Sequence, residues 1–215
     1  MKKLFLILLL FFALFSTAQD PARFKDEINE LVKKEYNFDS SKKLVVFAGS
    51  SSIRMWKDVQ SYFPEFNVIN NGFGGSHFSD LLFYYNELIL TRKPDILFIY
   101  EGDNDIADSK TSTEVMKQAK ELVAKIRKDL PETRLLFISP KPSLAREKLK
   151  EKYLTFNNKL ERYCNRKKQV DFVNVWTPMC NKNGNILPGL FIEDGLHMNK
   201  KGYEIWAVAI RNYLE

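Results

Sequence analysis

Short apolar runs alternate with amphipathic stretches along most of this chain. Five runs of five to seven residues, most of them rich in Val, Ile, Leu and Phe, are typical of strands buried on both faces of a sheet. These predicted strands lie at 44–48, 67–71, 95–100, 134–139 and 170–176. Apolar residues at helical spacing predict helices at 21–36, 79–90, 113–130 and 145–167, and a last helix from residue 199.

The alternation of strands and helices predicts an α/β fold. Strands joined by helices form a parallel sheet through right-handed crossovers, and helices then cover both of its faces. We therefore expect a three-layer α/β/α sandwich with a five-stranded parallel sheet. Residues 19–215 are about as long as one domain, and 45% apolar residues are enough for a sizeable core.

The first residues follow a different pattern. Lys2 and Lys3 precede an apolar segment at 4–15, and small residues follow it at 16–18. This order is typical of a secretory signal peptide, which we predict at 1–18. The apolar segment is shorter than the ~20 residues of a membrane span. We expect a secreted or periplasmic protein with no stable membrane insertion after cleavage. An uncleaved N-terminal anchor is the alternative.

Charge and cysteine content narrow the set of partners. The chain has 33 Lys and Arg against 27 Asp and Glu, and the cations are scattered over the predicted helices. No basic stripe interleaved with aromatic residues appears, so we expect no nucleic-acid partner.

Cys164 and Cys180 are predicted at opposite ends of the fifth strand, beyond the ~7 Å between Cα atoms that a disulfide allows. No metal-ligand spacing appears, and the sequence indicates no oligomeric state.

Polar residues and glycines gather where predicted strands end and where the last helix begins. In a parallel α/β sheet these places share one edge, where ligands bind. The four segments are Gly49-Ser50-Ser51-Ser52, Gly72-Phe73-Gly74-Gly75, Gly102-Asp103-Asn104-Asp105 and Asp194-Gly195-Leu196-His197. A serine, a histidine, a carboxylate and several hydrogen-bond donors are the groups that acyl transfer to a serine requires.

Each of these groups has a chemical task. A serine hydroxyl attacks an ester only when a base takes its proton, and a neutral histidine can do so near pH 7. Asp194, three residues before His197, can bond the distal ring nitrogen and fix the tautomer. The oxyanion of the tetrahedral intermediate needs fixed donors, which glycine amides and an asparagine side chain supply.

Together, in this order, the four segments resemble those of the SGNH hydrolase superfamily, also called the GDSL esterase and lipase family. The resemblance implies a flavodoxin-like fold and a serine esterase that needs no metal or organic cofactor. It implies Ser51 as nucleophile, His197 as base and Asp194 as its orienting acid. It also implies an oxyanion hole formed by the backbone amides of Ser51 and Gly75 and by the side chain of Asn104.

The chain departs from the family pattern at two positions. Ser50 stands where the family usually has Asp, so that Ser50 and Ser52 remain alternatives to Ser51 as nucleophile. Ser76 stands where an acid often follows the glycine of the second segment.

Two further interpretations stay open. The acidic turn from Asp103 could be a partial calcium loop, although its sixth residue is not Gly. His77 is expected to be structural or to line the substrate site.

The predicted function is an exported serine esterase that cleaves carboxylic esters through an acyl-enzyme. Export favours a carbohydrate ester or a small-molecule ester as the substrate, with deacetylation of carbohydrates as the first expectation. A lysophospholipase or a short-chain acyl esterase is the nearest alternative. An alternative of another class is a non-catalytic module that binds acylated glycans.

Overall fold

A fully parallel sheet forms the centre of the molecule. The computed structural model describes residues 20–214, so the signal peptide predicted at 1–18 lies outside the described residues. The strands are β1 (Leu44–Gly49), β2 (Asn67–Gly72), β3 (Ile96–Tyr100), β4 (Arg134–Ile138) and β5 (Val170–Val173). Their order in the sheet is β2-β1-β3-β4-β5, which is the flavodoxin-like order. The predicted fold class is confirmed.

Helices cover both faces of this sheet. They are α1 (Lys25–Lys33), α2 (Ser51–Arg54), α3 (Val59–Tyr62), α4 (Phe78–Phe83), α5 (Tyr85–Leu88), α6 (Asp103–Ala107), α7 (Ser112–Asp129), α8 (Lys150–Cys164) and α9 (Lys200–Arg211). A 3-10 helix, Pro21–Phe24, leads into α1. No helix within residues 20–214 is long and apolar enough to cross a membrane.

The alternation of side chains along β1 divides the core into two layers. Val46 and Ala48 pack with buried residues of α1, α4, α5, α7 and α8. Val45 and Phe47 face the other way and pack with Trp56 and with residues of α3 and α9. Since successive residues of a strand point to opposite faces, one continuous apolar run supplies both layers.

The strand register sets where the polar segments lie. Gly49, the last residue of β1, pairs with Gly72 on β2 and with Tyr100 on β3. Strands β1, β2 and β3 therefore end at the same level. The segments that follow them begin side by side along one edge of the sheet.

Several predicted elements differ from the structure. The helices predicted at 21–36 and 145–167 are shorter, since α1 ends at Lys33 and α8 spans Lys150–Cys164. The helix predicted at 79–90 is divided into α4 and α5, because Tyr84 between them leaves the helical region. Strand β5 ends at Val173 rather than at 176, and the Val175 N–H donates to the Ser139 hydroxyl instead of to a neighbouring strand. Residues 103–107, predicted as a turn, form helix α6. Cys164 and Cys180 are both free thiols.

Candidate active site

Ser51 is presented by a tight connection between β1 and α2. Gly49 has a φ of 135°, and a Cβ at this position would lie 2.1 Å from the Tyr100 carbonyl oxygen. Only glycine fits such a position. The chain turns here, the Ser50 N–H donates to that same carbonyl at 3.0 Å, and α2 begins at Ser51. Ser51 is consequently the first residue of a helix, and its N–H has no acceptor within that helix.

The three serines of this turn have different surroundings. Ser50 and Ser52 are both 2% exposed, whereas Ser51 is half-buried. The carbonyl of Ser52 accepts a hydrogen bond from the buried Tyr203 hydroxyl. Only the hydroxyl of Ser51 contacts a histidine ring: its Oγ lies 2.9 Å from His197 Nε2. The geometry therefore favours Ser51 over its two neighbours as the nucleophile.

His197 lies between Ser51 and Asp194. Its Nδ1 is 2.6 Å from Asp194 Oδ2, and its Nε2 faces Ser51 Oγ. Asp194 Oδ1 accepts hydrogen bonds from the backbone N–H groups of Leu196 and His197, at 2.8 and 2.9 Å. Asp194 therefore has both of its oxygens engaged within one turn, and that turn fixes the direction of the ring.

The state of ionisation of Asp194 determines the tautomer of His197. Desolvation opposes the charge, but hydrogen bonds from the His197 ring and from the two backbone N–H groups outweigh it and lower the Asp194 pKa to about 2. An ionised carboxylate only accepts hydrogen bonds, so Nδ1 carries the ring proton. In the neutral ring Nε2 is then an acceptor, directed at the Ser51 hydroxyl.

Gly75 follows β2 in the second polar segment. Its φ is 75°, and a Cβ built on it would meet nothing within 4 Å. The turn therefore needs glycine for its conformation, while the space beside it stays open. Within residues 20–214 the Gly75 N–H enters no hydrogen bond with the protein.

Asn104 lies in the first turn of α6, and its side-chain amide is held from two sides. Its Nδ2 donates to the Ser76 carbonyl at 2.9 Å, and its Oδ1 accepts from Arg146 Nη2 at 2.9 Å. These contacts fix which end of the amide is the donor. Because Nδ2 carries two hydrogens, one remains for a ligand.

A model of a known protein family matches most of this chain. The model of the GDSL-like lipase/acylhydrolase family matches residues 47–205, which include Ser51, Gly75, Asn104, Asp194 and His197. The chain belongs to the GDSL-like lipase/acylhydrolase family. Membership identifies it as a carboxylic ester hydrolase, so the predicted family and enzyme class are confirmed.

Solved structures of bacterial lipases and esterases have a similar fold. A GDSL-like lipase from Bacteroides thetaiotaomicron is 20% identical to this chain with a TM-score of 0.72, and the match covers 91% of this chain and 97% of that one. An acetyl-xylooligosaccharide esterase from Geobacillus is 16% identical with a TM-score of 0.66, covering 79% of this chain and 93% of that one. No curated protein sequence gives a significant match.

A buried charged cluster supports Asn104 in this acylhydrolase, and the sequence did not reveal it. Asp103 is 4% exposed and has two cationic neighbours: Arg146 Nη1 at 2.5 Å and Lys141 Nζ at 3.5 Å. It also accepts a hydrogen bond from the Tyr100 hydroxyl at 2.7 Å. Burial opposes ionisation, but the two cations and the hydroxyl outweigh it and lower the Asp103 pKa to about 2.

The position of Lys141 and Arg146 could have been inferred. Both lie in the segment after β4, which begins at the same sheet edge as the segments already considered. What the sequence did not reveal is that both would turn toward Asp103, about 40 residues earlier in the chain. Arg146 contacts Asp103 and Asn104 together, so it links the charged cluster to the predicted oxyanion donor.

A second buried carboxyl lies behind the Gly75 turn. The hydroxyl of Ser76, which stands where the family often has an acid, donates a hydrogen bond to Glu101 Oε1 at 2.6 Å. Glu101 comes from the end of β3 and is 1% exposed. Burial and the nearby Asp105 raise its pKa well above the ordinary value of 4.5. An acid from another strand therefore occupies the region behind this turn.

His77 and the acidic turn have structural partners. His77 is 2% exposed, its Nε2 lies 2.9 Å from Asp108 Oδ2, and its Nδ1 lies 3.1 Å from Lys110 Nζ. Asp105 pairs with Lys110 at 2.7 Å. Asp105 and Asp108, carboxylates of the possible calcium loop, therefore pair with different residues. Among residues 20–214 no group of three or more His, Cys, Asp or Glu side chains is arranged to hold a metal ion.

Proposed function

We propose that this chain is an exported serine esterase that deacetylates carbohydrates through an acyl-enzyme on Ser51. The observation that carries the proposal is the continuous hydrogen-bonded chain from Ser51 Oγ through His197 to Asp194. Its distances are those of a nucleophile, a general base and an orienting carboxylate.

In the first half of the reaction, His197 Nε2 takes the proton of the Ser51 hydroxyl while Oγ attacks the ester carbonyl carbon. The charge that develops on the carbonyl oxygen is stabilised by the N–H groups of Ser51 and Gly75 and by Asn104 Nδ2. His197 then gives its proton to the departing alcohol as the carbon–oxygen bond breaks. Asp194 stabilises the imidazolium that exists between these two steps.

In the second half, water replaces the alcohol. His197 takes a proton from the water as it attacks the acyl carbon, and the same donors stabilise the second oxyanion. The bond from the acyl carbon to Ser51 Oγ then breaks, His197 returns the proton to Oγ, and the acid leaves. These steps balance without a metal or an organic cofactor.

Three observations support the choice of substrate. A structural relative is an acetyl-xylooligosaccharide esterase, and the N-terminal pattern at 1–18 is that of an exported protein, which would meet polysaccharides outside the cytoplasm. Residues 20–214 contain no long insertion between the predicted elements that would cover the site, which favours an open site and a bulky alcohol such as a sugar.

A second candidate is an esterase or lysophospholipase that accepts longer acyl chains. Leu144 and Ile192 are large apolar side chains that are 58% and 42% exposed. Both border the Asp194–His197 turn, since the Ala145 N–H donates to the Gly195 carbonyl and the Ile192 N–H donates to the His197 carbonyl. An apolar rim at this place would suit an acyl chain or the apolar face of a sugar.

A substrate panel tests these candidates. Turnover of p-nitrophenyl acetate is measured first, for the mature protein, for Ser51→Ala and for Ser50→Ala as the matched control. We expect Ser51→Ala to be inactive and Ser50→Ala to stay active. Acetylated xylo-oligosaccharides are then compared with lysophospholipids and with p-nitrophenyl esters of increasing chain length. A kcat/KM that rises with chain length would favour the second candidate.

The same panel tests the alternative of another class. If the wild type and Ser51→Ala are equally inactive on every ester but both bind an acetylated oligosaccharide, the chain is a non-catalytic binding module. The complete Ser51–His197–Asp194 chain argues against that outcome, because a binding module has no use for it.

A further inference from the structure

We infer that Glu27, with Arg54 and Arg23, holds the Gly74–Gly75 turn so that the Gly75 N–H points at the oxyanion. Glu27 and Arg23 precede residue 47, where the match to the family model begins. The inference deepens the proposed function, because it rests on Gly75 being an oxyanion donor. It gives the segment before the family domain a role as a positioning element.

Glu27, Arg54 and Arg23 together form a clamp on this turn. Its first contact is with Gly74, the residue before Gly75. The Gly74 N–H points at the Glu27 carboxylate and lies 3.3 Å from Oε1 and 3.2 Å from Oε2. Glu27 in turn faces Arg54, with Nη1 3.6 Å from Oε1. A Cβ on Gly74 would lie 2.6 Å from the Arg54 Cζ, so the guanidinium lies directly against the Gly74 backbone.

The second contact is on the other side of the turn. Arg23 Nη2 donates to the Gly75 carbonyl at 3.4 Å and lies 3.6 Å from Asp80 Oδ2. The peptide groups before and after the one that carries the Gly75 N–H therefore both have charged partners. Since each peptide group is planar, holding both neighbours leaves only the opposed rotations at Gly74 and Gly75 to redirect the N–H between them, so its movement is restricted.

The clamp itself is anchored in the core. Phe24, between Arg23 and α1, is buried and packs edge-to-face on Phe73 at 5.0 Å between ring centroids. Ile28 and Leu31 of α1 are buried in the same layer. Glu27 is therefore carried by a docked helix, so holding its carboxylate at the turn costs less backbone entropy than it would on a mobile segment.

Arg54 extends the clamp to the nucleophile. It is the last residue of α2, which begins at Ser51. The path Arg54–Glu27–Gly74 thus joins the helix that carries one proposed backbone donor, Ser51, to the turn that carries the other, Gly75. Oxyanion stabilisation requires donors fixed in advance, so a connection between the two donor elements has a direct catalytic use.

The test compares substitutions at two acids of α1. Glu27→Ala removes the acceptor of the Gly74 N–H. Glu27→Gln keeps an acceptor oxygen but loses the charge that faces Arg54. Glu30→Ala is the matched control, because Glu30 lies on the same helix, is exposed and, among residues 20–214, pairs only with Lys33 at 3.3 Å. For each variant kcat and KM are measured with p-nitrophenyl acetate, together with the melting temperature.

We expect Glu27→Ala to lower kcat about 10- to 100-fold with KM nearly unchanged, because the donor is misdirected rather than removed; outright loss of one donor typically costs ~100–1000-fold. Glu27→Gln should recover most of that loss, and Glu30→Ala should match the wild type. The affinity for an inhibitor that forms a tetrahedral adduct should fall in parallel with kcat, since the same donors bind its oxyanion.

Three outcomes would overturn the inference: a kcat of Glu27→Ala equal to that of Glu30→Ala, a loss confined to KM, or an equal loss in Glu27→Ala and Glu27→Gln that follows the melting temperature. Failure of the proposed function would look different. In that case wild type does not turn over the ester, or Asn104→Ala, which removes another proposed donor, keeps full activity.

Discussion

Asp194 and Asp103 belong to the same edge of the sheet and both have a pKa of about 2, yet their surroundings differ. The Asp194 side chain is 41% exposed and accepts three hydrogen bonds from its own turn, one from the Leu196 N–H and two from the N–H and the ring of His197. The Asp103 side chain is 5% exposed, and its two cations come from the segment after β4. Asp194 is thus accessible and has partners that are close in sequence, whereas Asp103 is buried and has partners that are distant in sequence.

This difference indicates a division of tasks. In the proposed mechanism, the accessible Asp194 stabilises the positive charge that His197 carries between the two proton transfers. A carboxylate enclosed by Lys141 and Arg146 keeps a fixed charge and holds Asn104 in place through Arg146. Substitutions at the first site should therefore change chemistry, and substitutions at the second should first change folding.

The largest effect is expected for Asp194→Asn. An amide at this position no longer requires the proton on His197 Nδ1, so the ring is free to adopt the tautomer that cannot accept the Ser51 proton. In serine hydrolases such a change costs about 10⁴-fold in kcat. Steady-state kinetics with p-nitrophenyl acetate measure this loss, and the melting temperature should change little. A loss of less than tenfold would contradict the role of Asp194.

Asp103→Asn should act mainly on stability. The substitution leaves the buried Lys141 and the partly buried Arg146 without their counter-charge, and breaking a buried pair typically costs about 3–5 kcal/mol. Urea denaturation measures the free energy of unfolding. Asp171→Asn is the control, because Asp171 pairs with Arg134 at 2.9 Å with both side chains more than a third exposed. That loss should stay below about 1 kcal/mol. Equal losses at both positions would contradict the comparison.

Arg146→Met tests whether the contact of Arg146 with Asn104 is needed for activity. Without Arg146 the Oδ1 of Asn104 loses its donor, and the amide can rotate away from the oxyanion. A misplacement of about 1 Å can cost about 100-fold in rate, so we expect a fall in kcat of that order with a small change in KM. Arg162→Met, on the exposed side of α8, should leave both constants unchanged. An unchanged kcat in Arg146→Met would show that Asn104 needs no such support.

The same contrast between local and distant partners explains what the sequence could predict. The strand and helix order followed from apolar periodicity, and Asp194 with His197 followed from a spacing of three residues. Asp103 was visible only as part of an acidic turn, because its partners Lys141 and Arg146 lie in another segment. Glu27 and Glu101 gave no signal at all, since a single acid in a helix or at the end of a strand has no pattern that points to a distant partner.

Glu101→Gln should have the smallest effect, a change in the free energy of unfolding whose sign depends on the raised pKa of Glu101. Burial, Asp105 and Asp80 raise the Glu101 pKa in the folded protein, against the hydrogen bond from Ser76 and the charge of Lys110. A raised acid pKa favours the folded state below the unfolded value near 4.5 and loses that contribution as pH rises through the folded value. Gln resembles the protonated form and does not titrate.

We therefore expect Glu101→Gln to become more stable, relative to the wild type, as the pH increases. Urea denaturation of both proteins at pH 5 and pH 8 measures this difference. A difference in unfolding free energy that is the same at both pH values, or that turns against the variant at pH 8, would contradict the raised pKa.

The central claim is that Ser51 becomes acylated, and covalent labelling tests it most directly. The mature protein is incubated with a fluorophosphonate, digested, and the modified peptide is sequenced by mass spectrometry. We predict one adduct, on the Oγ of Ser51, with no adduct in Ser51→Ala and an unchanged adduct in Ser50→Ala. An adduct on Ser50 or Ser52, or an enzyme that hydrolyses esters but is never labelled, would contradict the assignment.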